Sequence, residues 1–180
     1  MTSKIARAII GLTLVLGLNS VKAQVPEATL LDLSGNQVSS KEAVAHDGPI
    51  LLVFWTIGCH NMIDGLIDID DDHYEQWQEE FGLKLIAISL DDTRNQAKVG
   101  PFVNGKDWDY EVYIDVNQDF KRVMNVNIHP HLFLLDKNQK VVWQQTSYME
   151  GDEQTVYAEL KKLTGAKKNN LNRTKMHNLR

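Results

Sequence analysis

The chain has a single cysteine, Cys59, among its 180 residues. No disulfide can form within it, so the fold rests on its apolar core alone. Basic residues are scarce in the body of the chain. Three lie in Met1–Ala23 and five in Gly165–Arg180, which leaves 11 against 24 acidic residues between them, a net charge of −13. A body so acidic argues against nucleic acid as a partner, because the phosphate backbone is held by lysine and arginine. Long apolar runs are missing as well: the stretch from Ala8 to Leu18 is shorter than the roughly 20 residues that span a bilayer. The acidic cluster Asp68, Asp70, Asp71 and Asp72 lacks the spacing and the turn glycine of a calcium loop and reads as a solvated face. No internal repeat and no second domain are visible.

The two ends are set apart by composition. Lys4 and Arg7 precede the apolar stretch, and Val21-Lys22-Ala23 follows as a small-residue cleavage site, the three-part pattern of a secretory signal peptide over residues 1–23. The expectation is export, with a mature start near Gln24, a periplasmic or secreted protein and no stable membrane span after cleavage. Residues 165–180 carry no acidic residue and no apolar periodicity, so they read as a basic disordered tail. Between them, residues 24–164 are long enough for one sizeable core, in a chain that is 43% hydrophobic and 24% charged overall.

Inside the body, Leu51-Leu52-Val53-Phe54-Trp55 is an uncharged apolar run of strand length. It ends at Thr56-Ile57-Gly58, and Cys59 follows. The segment from Asn61 to about Phe81 has helical length, with Ile63, Leu66, Ile67, Tyr74, Trp77 and Phe81 on one apolar face. Cys59 would then stand where a buried strand hands over to a helix. A thiol at a helix N-terminus faces unpaired N–H groups and the positive end of the macrodipole, which favour the thiolate.

The segment Phe54-Trp55-Thr56-Ile57-Gly58-Cys59, with Met62 three residues on, resembles the active-site segment of the thioredoxin fold, in the branch of extracytoplasmic thiol-disulfide oxidoreductases related to ResA and TlpA. Asp32-Leu33-Ser34-Gly35-Asn36 is similar to that family's first hairpin. Ile128-His129-Pro130-His131-Leu132-Phe133-Leu134-Leu135-Asp136 is similar to its proline loop and following strand. The resemblance implies an α/β fold of thioredoxin type, a mixed central sheet with helices on both faces. It also implies a cis proline at Pro130, lying against the thiol and exposing backbone groups to an extended substrate, with His129 close to Cys59. Two positions depart from the family's pattern. Its second cysteine is replaced by Met62, and the acid common early in its active-site helix falls on Gly65, with Asp64 adjacent.

The rest of the chain fits that order. Pro26–Leu33 reads as a strand, Ser39-Ser40-Lys41-Glu42 as a helix start, and Asp47-Gly48-Pro49 as its end. Leu83–Leu90 reads as a second buried parallel strand, with Asp91 or Asp92 capping the helix after it. Gly100-Pro101 and Asn104-Gly105 are expected to break the region that follows. Tyr110–Ile114 reads as a short strand, Asp119–Met124 as a short helix and Leu132–Leu135 as a strand. A turn at Asp136–Gln139 leads to Val141-Val142-Trp143, and Glu153–Leu163 closes the domain as an amphipathic helix.

The candidate chemistry centres on Cys59 as nucleophile. His60, next to it, would stabilise the thiolate when protonated or take the thiol's proton when neutral. Trp55, His129 and Pro130 are the candidate substrate-binding residues. Met62 has no thiol to close a disulfide, so a two-thiol cycle within the chain is excluded. A single-thiol cycle remains: Cys59 attacks a substrate disulfide or a peroxide, and an external thiol reductant resolves the product. No cofactor or resident metal is expected on this reading. Two alternatives stand beside it. One is a catalytically inactive binding module that keeps the groove at Pro130. The other is a copper or zinc protein using Cys59, Met62, His60 and His129 or His131, donors that suit soft metals.

Overall fold

The computed structural model describes residues 24–58, 73–106, 108 and 110–165. Cys59, His60, Met62 and the acidic cluster lie outside the described residues, as do residues 1–23 and 166–180.

Near the N-terminus, β1 (Thr29–Leu31) and β2 (Gln37–Ser39) pair antiparallel. Their turn is held by Asp32, whose Oδ1 accepts the N–H groups of Ser34 and Asn36 at 2.9 and 2.8 Å. The expected strand over Pro26–Leu33 is thus shorter, because Asp32 leaves the ladder to build the turn. Ser39 then accepts the N–H of Lys41 and caps the short helix α1 (Ser40–Ala43). The loop after it has Gly48 for a steric reason: a Cβ there would lie 2.5 Å from the carbonyl oxygen of Gly82.

The centre of the sheet is β3 (Ile50–Trp55), buried along its whole length. It pairs parallel with β4 (Lys84–Ser89) and antiparallel with β6 (His131–Leu135). β4 also pairs parallel with β5 (Glu111–Ile114), and β6 pairs antiparallel with β7 (Val141–Thr146). The seven strands follow the order β2-β1-β5-β4-β3-β6-β7. Alternation along β3 divides the core in two. Leu51, Val53 and Trp55 join one cluster with Trp77 and Phe81 of α2 (Glu75–Phe81), Val99 and Val103 of α3 (Gln96–Gly105), and Val156 and Leu160 of α5 (Glu153–Thr164). Ile50, Leu52 and Phe54 join the other with Ala43 of α1 and Phe120 of α4 (Asp119–Val123). Helices therefore cover both faces of a mixed sheet, as expected from the order of the segments.

Two expectations are corrected between β4 and β5. The helix runs through Gly100-Pro101 rather than breaking there. Pro101 gives up one N–H bond, while buried Val99 and Val103 and the packing of Phe102 on the core hold the turns on either side. Nor do Asp91 and Asp92 cap this helix. Asp92 builds a turn ahead of it, its carbonyl accepting the N–H groups of Asn95 and Gln96, so α3 starts only at Gln96. The described part of the expected active-site helix, α2, buries Trp77 and Phe81 as its periodicity implies and ends at Gly82 with φ 66°.

Candidate functional site

Register brings four segments to one edge of the sheet. Parallel pairing sets Trp55 opposite Ser89, and antiparallel pairing sets Phe54 opposite His131. The residues after β3 (Thr56–Gly58), after β4 (Leu90–Asp92), after β5 (Asp115–Gln118) and before β6 (His129–Pro130) consequently meet there. Such a carboxyl-end edge is where ligands bind in sheets of this type.

The turn after β3 is fixed from β4. Leu90 donates its N–H to the Trp55 carbonyl at 2.7 Å, and Ile57 donates its N–H to Oδ2 of Asp91 at 3.0 Å. The same oxygen accepts the Ser89 hydroxyl at 2.9 Å, and Asp91 donates its N–H back to that hydroxyl oxygen at 3.1 Å. Asp91 is only 7% exposed, and these donors make burial of its carboxylate tolerable. Asp91, with Thr56, Gly58, Asn95, Lys98 and Gln118, lines a cleft of about 470 Å³ that reaches the residue before Cys59.

Beside it, the His129–Pro130 peptide bond is cis, as the proline-loop resemblance implies. The Pro130 carbonyl accepts the N–H of Ser147 at 2.8 Å, and Ile128 stands 59% exposed next to the pair. Nδ1 of His129 is buried with no hydrogen-bond partner among the described residues. Burial lowers the pKa of His129 and the charge of Lys121 adds to this, while the Asp91 carboxylate opposes both. His129 is therefore biased toward the neutral ring, which can accept a proton.

Of the five residues expected at the site, His129 and Pro130 stand together at this edge. Cys59 and His60 fall outside the described residues. Trp55 is 0% exposed, with its ring edge-on to Trp108 at 5.1 Å and tilted against Phe102 at 5.7 Å. It shapes the end of β3 from beneath. His131 is removed from the metal set. Its Nε2 lies 3.2 Å from Oε1 of Gln144, its Nδ1 lies 3.3 Å from the Thr146 hydroxyl, and its ring stacks on Phe133 at 4.4 Å. Both ring nitrogens are committed to the hairpin of β6 and β7. No group of three or more metal-ligating side chains occurs among the described residues. Asp91 and the cleft were missed from sequence. A carboxylate placed directly after an apolar parallel strand was the available signal.

Strand order, helices on both faces and a cis-proline loop beside the end of β3 define a thioredoxin-like fold. Residues 21–144 match the AhpC/TSA family, and the chain belongs to it, a thioredoxin-fold redox family. A thioredoxin-like protein from Porphyromonas gingivalis is 35% identical, with a TM-score of 0.70, over 78% of this chain and 92% of that one. The thioredoxin domain of a thiol-disulfide oxidoreductase from Bacteroides vulgatus is 20% identical, with a TM-score of 0.60, over 79% and 96% of the two chains. StoA from Bacillus subtilis is 16% identical, with a TM-score of 0.58, over 74% and 97%. No curated protein matches the chain. Among the described residues, no helix is long and apolar enough to cross a membrane.

Proposed function

We propose that this protein is a thiol-disulfide oxidoreductase of the ResA and TlpA type that works with one thiol. Cys59 attacks a substrate disulfide, one substrate sulfur bonds to Sγ, and the other leaves as a thiolate that takes a proton. An external thiol then attacks the mixed disulfide and frees Cys59. His60 assists the thiolate, and His129 and Pro130 receive the substrate.

The observation that carries this reading is the edge itself: a hydrogen-bonded turn, which Cys59 follows in sequence, at the same edge as His129 and cis Pro130. Exposed Ile128 offers an apolar contact to a polypeptide, which a peroxide would not need, so a protein disulfide is the favoured substrate. Export through residues 1–23, a mature domain over 24–164 and a basic tail over 165–180 belong to the same proposal.

The test is the rate of Cys59 alkylation against pH on the mature protein, with Cys59→Ser as blank. Fast labelling with a thiol pKa well below the ordinary value of about 8.5 is expected. Labelling that occurs only on unfolding would refute the proposal and favour the binding module, which predicts partner capture undisturbed by Cys59→Ser.

A further inference from the structure

The single-thiol cycle needs a second thiol, and the cleft beside Gly58 has the size and charge to receive one. Its volume of about 470 Å³ falls in the range of about 300–1,000 Å³ that small ligands occupy. At its floor Asp91 takes both of its side-chain bonds on Oδ2. Oδ1 accepts none among the described residues. On its rim Lys98 holds its ammonium 2.9 Å from Oδ1 of Asn95, a neutral partner, and makes no ion pair among the described residues. Asp92, the remaining charged lining residue, is already engaged by Nε of Arg94 at 3.5 Å. One carboxylate and one ammonium are thus presented to the cleft, with the polar side chains of Thr56 and Gln118 also on its lining. A ligand carrying only negative charge would meet the Asp91 carboxylate as well as Lys98, in a body of net charge −13. A ligand of both signs meets its complement.

We propose that this cleft docks the resolving thiol and selects a small zwitterionic thiol, its ammonium toward Asp91 and its carboxylate toward Lys98. This rests on the single-thiol reading above and names the reductant class of that same site. The step balances: the bound thiol loses its proton, its sulfur bonds to the substrate sulfur of the mixed disulfide, and the bond to Sγ of Cys59 breaks. Cys59 leaves as thiolate, and the product is a disulfide between the small thiol and the substrate.

The experiment loads Cys59 of the full mature chain with a fluorescent cysteine peptide, delivered as the peptide's thionitrobenzoate disulfide, and follows transfer of the peptide from Cys59 to added thiols as their mixed disulfide. Cysteine and glutathione are the zwitterionic probes, mercaptoethanol the neutral one and cysteamine the cationic one. The zwitterionic thiols are expected to saturate, with rates above those set by thiol acidity alone. Lys98→Ala should lower the ratio of zwitterionic to neutral rates about ten-fold, the effect of one charge-assisted contact. Lys98→Glu should move the preference to cysteamine, a gain that a merely structural role would not produce. Asp91→Asn keeps an acceptor for Ile57 and should lower the same ratio. Linear kinetics ranked by thiol acidity, with ratios unchanged in the Lys98 variants, would overturn the docking site and leave the single-thiol reading standing. Failure of folded wild-type protein to take up the peptide from its thionitrobenzoate disulfide would overturn both.

Discussion

Asp115 directly follows β5, is only 1% exposed, and its carboxylate organises the start of α4. Oδ1 accepts the N–H of Phe120 at 3.2 Å and Oδ2 that of Lys121 at 2.7 Å, while the Asp115 N–H donates to the Ser89 carbonyl at 2.9 Å. Asp115→Ala would strand two buried donors, each costing about 1–3 kcal/mol, and would recover the desolvation of a carboxylate, for a net loss of about 2 kcal/mol. Asp115→Asn keeps one acceptor and sets its NH₂ against the other donor, with a smaller loss of about 1 kcal/mol. Both are sizeable against a total of roughly 5–15 kcal/mol. Urea titrations with an unchanged slope would read the Ala loss as a midpoint lower by about 1 M.

The pH dependence separates burial from hydrogen bonding at this residue. Burial raises the Asp115 pKa above its ordinary 3.8, outweighing the N–H groups that lower it. A carboxyl with a raised folded pKa binds its proton more tightly folded than unfolded. Its contribution is complete below the unfolded pKa and is lost as pH rises through the folded pKa. The gap between wild type and Asp115→Asn should therefore be widest near pH 4 and narrow toward pH 7. A gap that widens over that range would refute the reasoning and make the helix N–H groups dominant.

Burial lowers the pKa of His131, so the unfolded chain takes up a proton before the folded one as pH falls through the ordinary 6.5. Stability should drop over that range, and His131→Gln should shrink the fall in Tm between pH 7 and pH 5; an equal fall in both proteins would exclude His131 as its source. Phe54 is fully buried, with ring centroids 5.3 Å from Phe120 and 5.8 Å from Phe133. Phe54→Ala should cost about 3–5 kcal/mol in urea unfolding, and a loss below about 1 kcal/mol would mean that the neighbouring rings close the cavity.

Much of the fold was readable because its strongest segments carry one signal each. The apolar run of β3 and the buried face of Trp77 and Phe81 depend on hydrophobic pattern, and they appear where the pattern puts them. Pro101 misled because local breaking tendency was weighed without the packing of Val99 and Val103, which only the folded sheet supplies. At the site, His129 and Pro130 were legible through a motif. Asp91 was not, since its role depends on Ile57, 34 residues away in sequence and adjacent only through the pairing of β3 and β4. His131 was assigned by type, whereas its surroundings decide what it does: two hydrogen-bonding partners on β7.

The bonds from Leu90 to Trp55 and from Ile57 to Asp91 tie the turn ahead of Cys59 to the paired central strands β3 and β4. Amide protons in such a position exchange with solvent through the cooperative opening of the surrounding unit rather than by local fraying. The Ile57 amide should thus share the protection of β3 itself. Binding at the edge would add little to that protection, because the turn is already set before any partner arrives. Loss of protection at Ile57 would instead report that the central strands have separated, making this one amide a gauge of the integrity of the whole sheet.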